Sequence, residues 1–360
     1  MVAFRSGVVR EILGERRGLQ KIGVEIAGKS ARAYVLTDVI GDVAVGDPVV
    51  CNTTAVDLDL GTGGWHFVHW NLARSEFVAP GPGHIMKLRY TSLQSDVGST
   101  EEHTPALADV TDCAGLPVVA AGLHSQLAGV SVGIRSRAPH ARIAYVMTDG
   151  AALPLALSDL VHELRSRDLI DVTITCGHAF GGDHEAVSLA SALAIARHVE
   201  RADIAIVAMG PGIVGTATAL GTTGLELATI IDTAGALLGR PVVALRTSDA
   251  DPRDRHRGIS HHTLTALGLA ARGATIALPA NASALRAEIS GEGRLDRHEL
   301  VECEIPDVVA RFDELGLRVT SMGRPAVADR ILHDCAAAAG ALAAALGFGD
   351  AAAAEIPSGP

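Results

Sequence analysis

Nine of the sixteen residues from Thr247 to His262 are Asp, Arg or His: Asp249, Asp251 and Asp254, Arg253, Arg255 and Arg257, and His256, His261 and His262. In a chain that is only 20% charged, such a run points to chemistry more readily than to solubility. Arg253, Arg255 and Arg257 offer planar, bidentate donors for a carboxylate or phosphate. The three histidines are candidate general bases or metal ligands. Ser260 can cap a following helix, which places His261 and His262 in a first turn whose dipole keeps imidazole neutral. The plain alternative is a solvated loop of internal ion pairs.

Three more polar or glycine-rich segments follow apolar runs. In Thr175–Glu185, a double glycine precedes Asp183, a natural N-cap for a helix. Asp183 and Glu185 in a first turn would repel a phosphate, so this loop suits a cation, a base or a hydroxyl-bearing substrate. His178 and Asp183 are candidate catalytic groups and, with His262, candidate metal ligands. Cys176 reads as a small buried hydrophobe closing a strand. In Met147–Gly150, Asp149 is a further catalytic candidate, with a turn aspartate as the equal alternative. In Met209–Thr218, Gly210, Gly212, Gly215 and Thr216 can cradle an anion, since no acid occurs before Glu226. The spacing Gly210-x-Gly212-x-x-Gly215 matches the dinucleotide fingerprint, but the strand-end acid about 20 residues further on is missing, which disfavours NAD.

Lysine occurs only at positions 21, 29 and 87. Beyond Lys87 the chain therefore supplies neither a P-loop lysine nor a Schiff base for pyridoxal phosphate. Lys87 itself is a candidate ligand contact from the domain junction.

These loops need elements to hold them. Up to residue 88, short alternating runs punctuated by Gly and Asp (Gly7–Leu13, Lys21–Ile26, Ala31–Leu36, Pro48–Cys51, Trp65–Val68) predict a small β barrel or sandwich. The Pro/Gly cluster Ala79–Gly83 is the expected junction. From residue 89 to 360, continuous apolar runs at Leu116–Ala121, Arg142–Met147, Asp171–Thr175, Asp203–Ala208, Pro241–Leu245, Ala274–Leu278 and Leu317–Ser321 predict strands buried on both faces. Helical patterns at Leu153–Ser166, Asp183–Val199, Thr222–Leu238, Ser260–Ala271 and Leu300–Leu315 separate them. The expected fold is α/β: a doubly wound, mostly parallel sheet with helices on both faces, closed by an Ala-rich helix over Pro325–Leu346. All four polar loops would then share the carboxyl edge of that sheet, where open α/β sheets keep their ligands.

Composition narrows the partners. A net charge of −11 argues against nucleic acid and anionic membrane. The first residues carry no uninterrupted apolar segment of the signal-peptide kind. Cys335–Gly349 is short and Ala-rich for a membrane span. Five cysteines without regular spacing indicate reduced thiols in a cytoplasm.

The segments Gly177–Asp183, Met209–Gly215 and Arg255–His262 resemble a bacterial family of unknown function, DUF3866. Asp47–Thr54, Lys87–Thr91 and Met147–Gly150 fit as well, so the resemblance spans nearly the whole chain. Ala217 stands where a glycine is expected. The resemblance implies no particular chemistry. On the residues, the expectation is a hydrolase or group transferase acting on a small polar or anionic metabolite, built as a homo-oligomer. A divalent metal (Zn²⁺, Mn²⁺ or Fe²⁺) or plain acid–base chemistry would serve it. The alternative is a non-catalytic ligand-sensing or scaffold module using the same pocket.

Overall fold

The computed structural model describes residues 1–280, 282–291 and 293–349. The chain divides into two compact units, Met1–Gly98 and the remainder from Ser99.

The first unit is a closed barrel of five strands, β1 (Phe4–Arg16), β2 (Leu19–Ile26), β3 (Lys29–Val35), β4 (Pro48–Asn52) and β5 (Trp65–Asn71), in the order β1-β2-β3-β5-β4. The β3–β5 pair is parallel and the others are antiparallel. Two register shifts in β1, between Val9 and Glu11 and between Ile12 and Gly14, let this long strand bend to pair with both β2 and β4. Alternation sends Val9, Ile22, Val24, Ala33, Val35, Val49, Cys51 and Val68 into one core.

The second unit is an eight-stranded, all-parallel sheet between two helical layers. Its strands are β6 (Pro117–Ala121), β7 (Ile143–Thr148), β8 (Val172–Cys176), β9 (His184–Ala186), β10 (Ile204–Met209), β11 (Arg240–Ala244), β12 (Thr275–Pro279) and β13 (Glu299–Cys303), in the order β9-β8-β7-β10-β6-β11-β12-β13. The helices are α1 (Gln126–Arg137), α2 (Asp159–Ser166), α3 (Leu189–Ala194), α4 (Glu226–Ala236), α5 (His261–Leu269), α6 (Ser283–Ser290), α7 (Val308–Glu314) and α8 (Arg330–Phe348). One core joins α1, α2, α7 and α8 to one face of the sheet, and a second joins α3 to α6 to the other. The helices leaving β6 and β7 thus lie opposite those leaving β10 and β11, so the loops after these strands splay apart around a crevice at the carboxyl edge.

Small residues set the spacing of the first layer. A Cβ on Gly133 would lie 2.1 Å from the Ala337 carbonyl oxygen, and one on Gly340 would lie 2.1 Å from that of Val130, so α1 and α8 touch backbone to backbone. Among the described residues, α8 is the one helix long and apolar enough to cross a membrane, and 67% of its apolar window is buried inside the protein.

Some expected elements differ. Leu317–Ser321 is not a sheet strand; only Thr320–Ser321 is extended, in a hairpin with Arg324–Pro325. The start of the helix expected at Asp183 is strand β9, paired with Ile174–Cys176, and the helix begins after Ser188, whose hydroxyl accepts from Ser191 N–H. The first residues of the helix expected at Leu300 are strand β13, which ends at Cys303, and Asp307 caps α7 by accepting from Ala310 N–H.

Candidate functional site

Because every sheet strand is parallel, the turns after β6, β7, β8, β10 and β11 emerge on one edge. After β7, Asp149 is exposed, and its carboxylate accepts from the His178 N–H at 2.9 Å. Gly177 has φ +64, and a Cβ there would lie 2.3 Å from that carboxylate. Asp149 therefore fastens the turn after β8 to the turn after β7.

Asp183 is carried away from this edge. From the carboxyl end of β8 the chain runs back down the sheet to start β9, so Asp183 stands beside Thr173, near the amino end. Its carboxylate accepts from Thr173 N–H and Oγ1 at 2.9 Å and from Arg165 at 2.8 Å. Glu185 braces the same return by accepting from Gly181 N–H and Thr175 Oγ1, each at 2.7 Å. Neither acid sits on a helix dipole. The proposed ligand set of His178, Asp183 and His262 is not assembled; among the described residues, the histidines at 256, 261 and 262 are the group whose ligand atoms converge.

That convergence is the work of the segment after β11. Thr247–Ser248 and Gly258–Ile259 form a short antiparallel ladder, which turns His256 back onto the start of α5. Ring centroids stand 5.1 Å apart for His256 and His261, 5.0 Å for His256 and His262, and 4.1 Å for His261 and His262. One nitrogen from each lies within 4.8 Å of the others. His256 Nδ1 meets Ser260 Oγ at 2.8 Å, and His262 Nδ1 lies 3.4 Å from both Thr222 Oγ1 and Arg246 Nη1. The Nε2 atoms of His261 and His262 are buried with no hydrogen-bond partner among the described residues. All three rings are held below the ordinary histidine pKa, first by burial. His256 is lowered to about 3, with Arg246 the next cause, and His262 to about 4, with His261 the next cause. At neutral pH they are uncharged imidazoles with lone pairs to offer.

The arginines divide in the same way. Arg253 is spent on buried Asp251, donating through Nε at 2.9 Å and Nη2 at 2.8 Å, and this pairing holds Asp251 far below the usual carboxylate range. Arg257 donates to the Asp251 carbonyl at 3.2 Å, while Arg255 remains exposed. The cation that sequence reasoning missed is Arg246. It is only 6% exposed and, among the described residues, has no carboxylate within ion-pair distance, and burial lowers its pKa to about 10. An Arg directly after the apolar run Pro241–Leu245 was its one signal.

In the loop after β10, Gly210 permits close packing, since a Cβ there would lie 2.5 Å from the Ala152 carbonyl oxygen, and Gly212 has φ +106. Thr216 closes a local turn: its N–H and its hydroxyl both donate to the Gly221 carbonyl, at 2.7 and 3.2 Å. The loop returns through Gly215, paired with Thr222, to pack against His262. Its beginning, Met209–Ile213, lines a cavity of about 210 Å³ together with His124, Ser125 and the Thr320–Met322 hairpin. His124 was not foreseen. It links three turns, with Nδ1 3.2 Å from the Met209 carbonyl and Nε2 2.6 Å from Ser158 Oγ, and burial lowers its pKa to about 4. Glu226, in the first turn of α4, accepts from Thr148 Oγ1 at 2.7 Å, and burial raises its pKa. Lys87 belongs to the first unit, where it pairs in register with Ser95 and is buried.

An eight-stranded parallel sheet between two helical layers, with three neutral histidines and a buried arginine at its carboxyl edge, defines the class: a doubly wound α/β protein. The chain belongs to the DUF3866 family, proteins of unknown function, whose sequence model matches residues 32–340. No curated protein matches the chain.

Proposed function

We propose that the α/β unit is a metal-dependent hydrolase or group transferase for a small anionic metabolite, with His256, His261 and His262 as the metal ligands. The observation that carries this reading is the pair of buried, unpartnered Nε2 atoms on His261 and His262, with His256 converging on them. Such orphans are costly unless something binds them. The donor set fits. Ser260 can accept from the Nδ1–H of His256, which leaves Nε2 of that ring with the lone pair. Tetrahedral ligation at about 2.1 Å needs nitrogens about 3.4 Å apart, so loading would draw the rings together. Three neutral nitrogens and no thiolate favour Zn²⁺, Mn²⁺ or Fe²⁺ with an open position. Such an ion supplies Lewis acidity and an activated water.

The remaining steps fall to the chain's own groups. Arg246 holds the substrate's anionic group close to the histidines. Glu226, whose pKa is raised by burial, is the candidate acid–base group beside Thr148. Asp149 and His178 orient the neighbouring turn. Free cysteines at all five positions support a reducing compartment.

The test is elemental analysis and native mass spectrometry of purified protein, which also reports oligomeric state, followed by hydrolase assays before and after chelation. Stoichiometric metal that is lost in His261→Ala, and turnover lost on chelation, are expected. Full activity in stripped protein would overturn the metal assignment; a retained ligand that is never turned over would favour a sensing module.

A further inference from the structure

The barrel has a cavity of its own. At the barrel end formed by the β2–β3 turn and the β4–β5 loop, a groove of about 610 Å³ opens, within the roughly 300–1,000 Å³ range of ligand sites, which favour barrel mouths. Its floor is set by strand alternation. Trp65 and Phe67 lie on one face of β5 and His66 on the other, where His66 is 9% exposed and its Nδ1 is buried with no partner among the described residues. Burial lowers the His66 pKa, so the ring is neutral at pH 7.

The charges around the groove are unequal. Asp57, the acid in the lining, is already ion-paired with Arg5 and accepts from Thr53 Oγ1 at 2.9 Å. Lys29 and Arg32 have no carboxylate partner within ion-pair distance among the described residues. Arg32 is nonetheless held in place, its guanidinium 4.7 Å over the Trp65 ring and Nη2 donating to the Gly63 carbonyl at 3.0 Å. The whole-chain excess of acid does not oppose them. Residues 1–98 hold ten Lys/Arg and ten Asp/Glu, so the net −11 lies entirely in the rest of the chain.

We propose that this barrel mouth binds a hydroxylated phosphomonoester of sugar-phosphate size, with Lys29 and Arg32 on the phosphate and His66 on a hydroxyl. A monoester is close to a dianion at neutral pH, which suits two unpaired cations. A hydroxyl can donate or accept, and so satisfies a neutral imidazole nitrogen in either tautomer. A nucleic-acid strand would need a longer run of free cations, whereas Arg5 and Arg10 are paired with Asp57 and Glu25.

The test is isothermal titration of the full chain with ribose 5-phosphate, with inorganic phosphate, ribose and a ten-nucleotide oligo(dT) as comparators. Ribose 5-phosphate should bind saturably and at least tenfold more tightly than phosphate or ribose alone. The Lys29→Ala/Arg32→Ala double variant should weaken it by roughly tenfold or more, the factor for about 1.4 kcal/mol. His66→Gln should weaken it with an unchanged thermal melt, and Arg246→Met, in the other unit, should leave it unaltered. Absence of binding, affinity equal to that of phosphate, insensitivity to the Lys29/Arg32 change, or binding of oligo(dT) without ribose 5-phosphate would each overturn the proposal.

Discussion

His333 is fully buried on α8, with Phe312 edge-on at 5.4 Å and neither ring nitrogen partnered among the described residues. Burial lowers its pKa to about 4, against about 6.5 in an unfolded chain. Because the folded value is the depressed one, the unfolded state takes up the proton first. The stability tied to the neutral ring is present above about pH 6.5 and is lost as pH falls toward 4. Between pH 7 and pH 5 that linkage costs about 2 kcal/mol, or roughly 4–8 °C in the melting temperature of a unit this size. His333→Leu, close in volume, removes the titration and two unsatisfied polar atoms whose burial costs about 1–3 kcal/mol each. The variant should therefore be more stable at pH 7, and it should lose about 2 kcal/mol less than the parent on going to pH 5. Urea unfolding followed by far-UV circular dichroism is the appropriate assay. Both tryptophans, Trp65 and Trp70, lie in the barrel and would not report on α8. Parallel losses in parent and variant between pH 7 and pH 5 would refute the reasoning.

Gly133→Val places a branched side chain against the Ala337 carbonyl and should cost about 3 kcal/mol; an unchanged thermal melt would count against the backbone-to-backbone contact of α1 and α8. Asp251→Asn leaves Arg253 without its buried anion, while Arg324 keeps Asp329, and should cost about 3 kcal/mol, with faster amide exchange over 247–262 as the readout. Since Asp251 has a depressed folded pKa, its contribution is constant through neutral pH and fades only in strong acid, so stability should not vary with its titration above about pH 5. Arg246→Met should raise KM for an anionic substrate more than it lowers kcat, and an unaltered KM would remove Arg246 from substrate binding.

The parallel sheet was legible because strands covered on both faces must be apolar without a break, as Ile143–Thr148 and Ile204–Met209 are, and the polar loops at their ends follow from chain direction. The barrel strands were legible from alternation. What pairing and packing decided was not. β9 has only three residues, too few to show a period, and its pairing with β8 is what carries Asp183 to the amino end and out of the site. α1 holds Gly129 and Gly133, which argue against a helix locally; their value lies in contact with α8, a partner two hundred residues distant. Arg253 and Arg246 are equally charged in sequence, yet Asp251 claims the first while burial leaves the second unpaired. The three histidines were visible as a cluster of types, but their convergence depends on a ladder only two residues long that folds His256 back onto α5. Residue type and local spacing determined which groups were present, and long-range pairing, which no local pattern encodes, decided which of them meet.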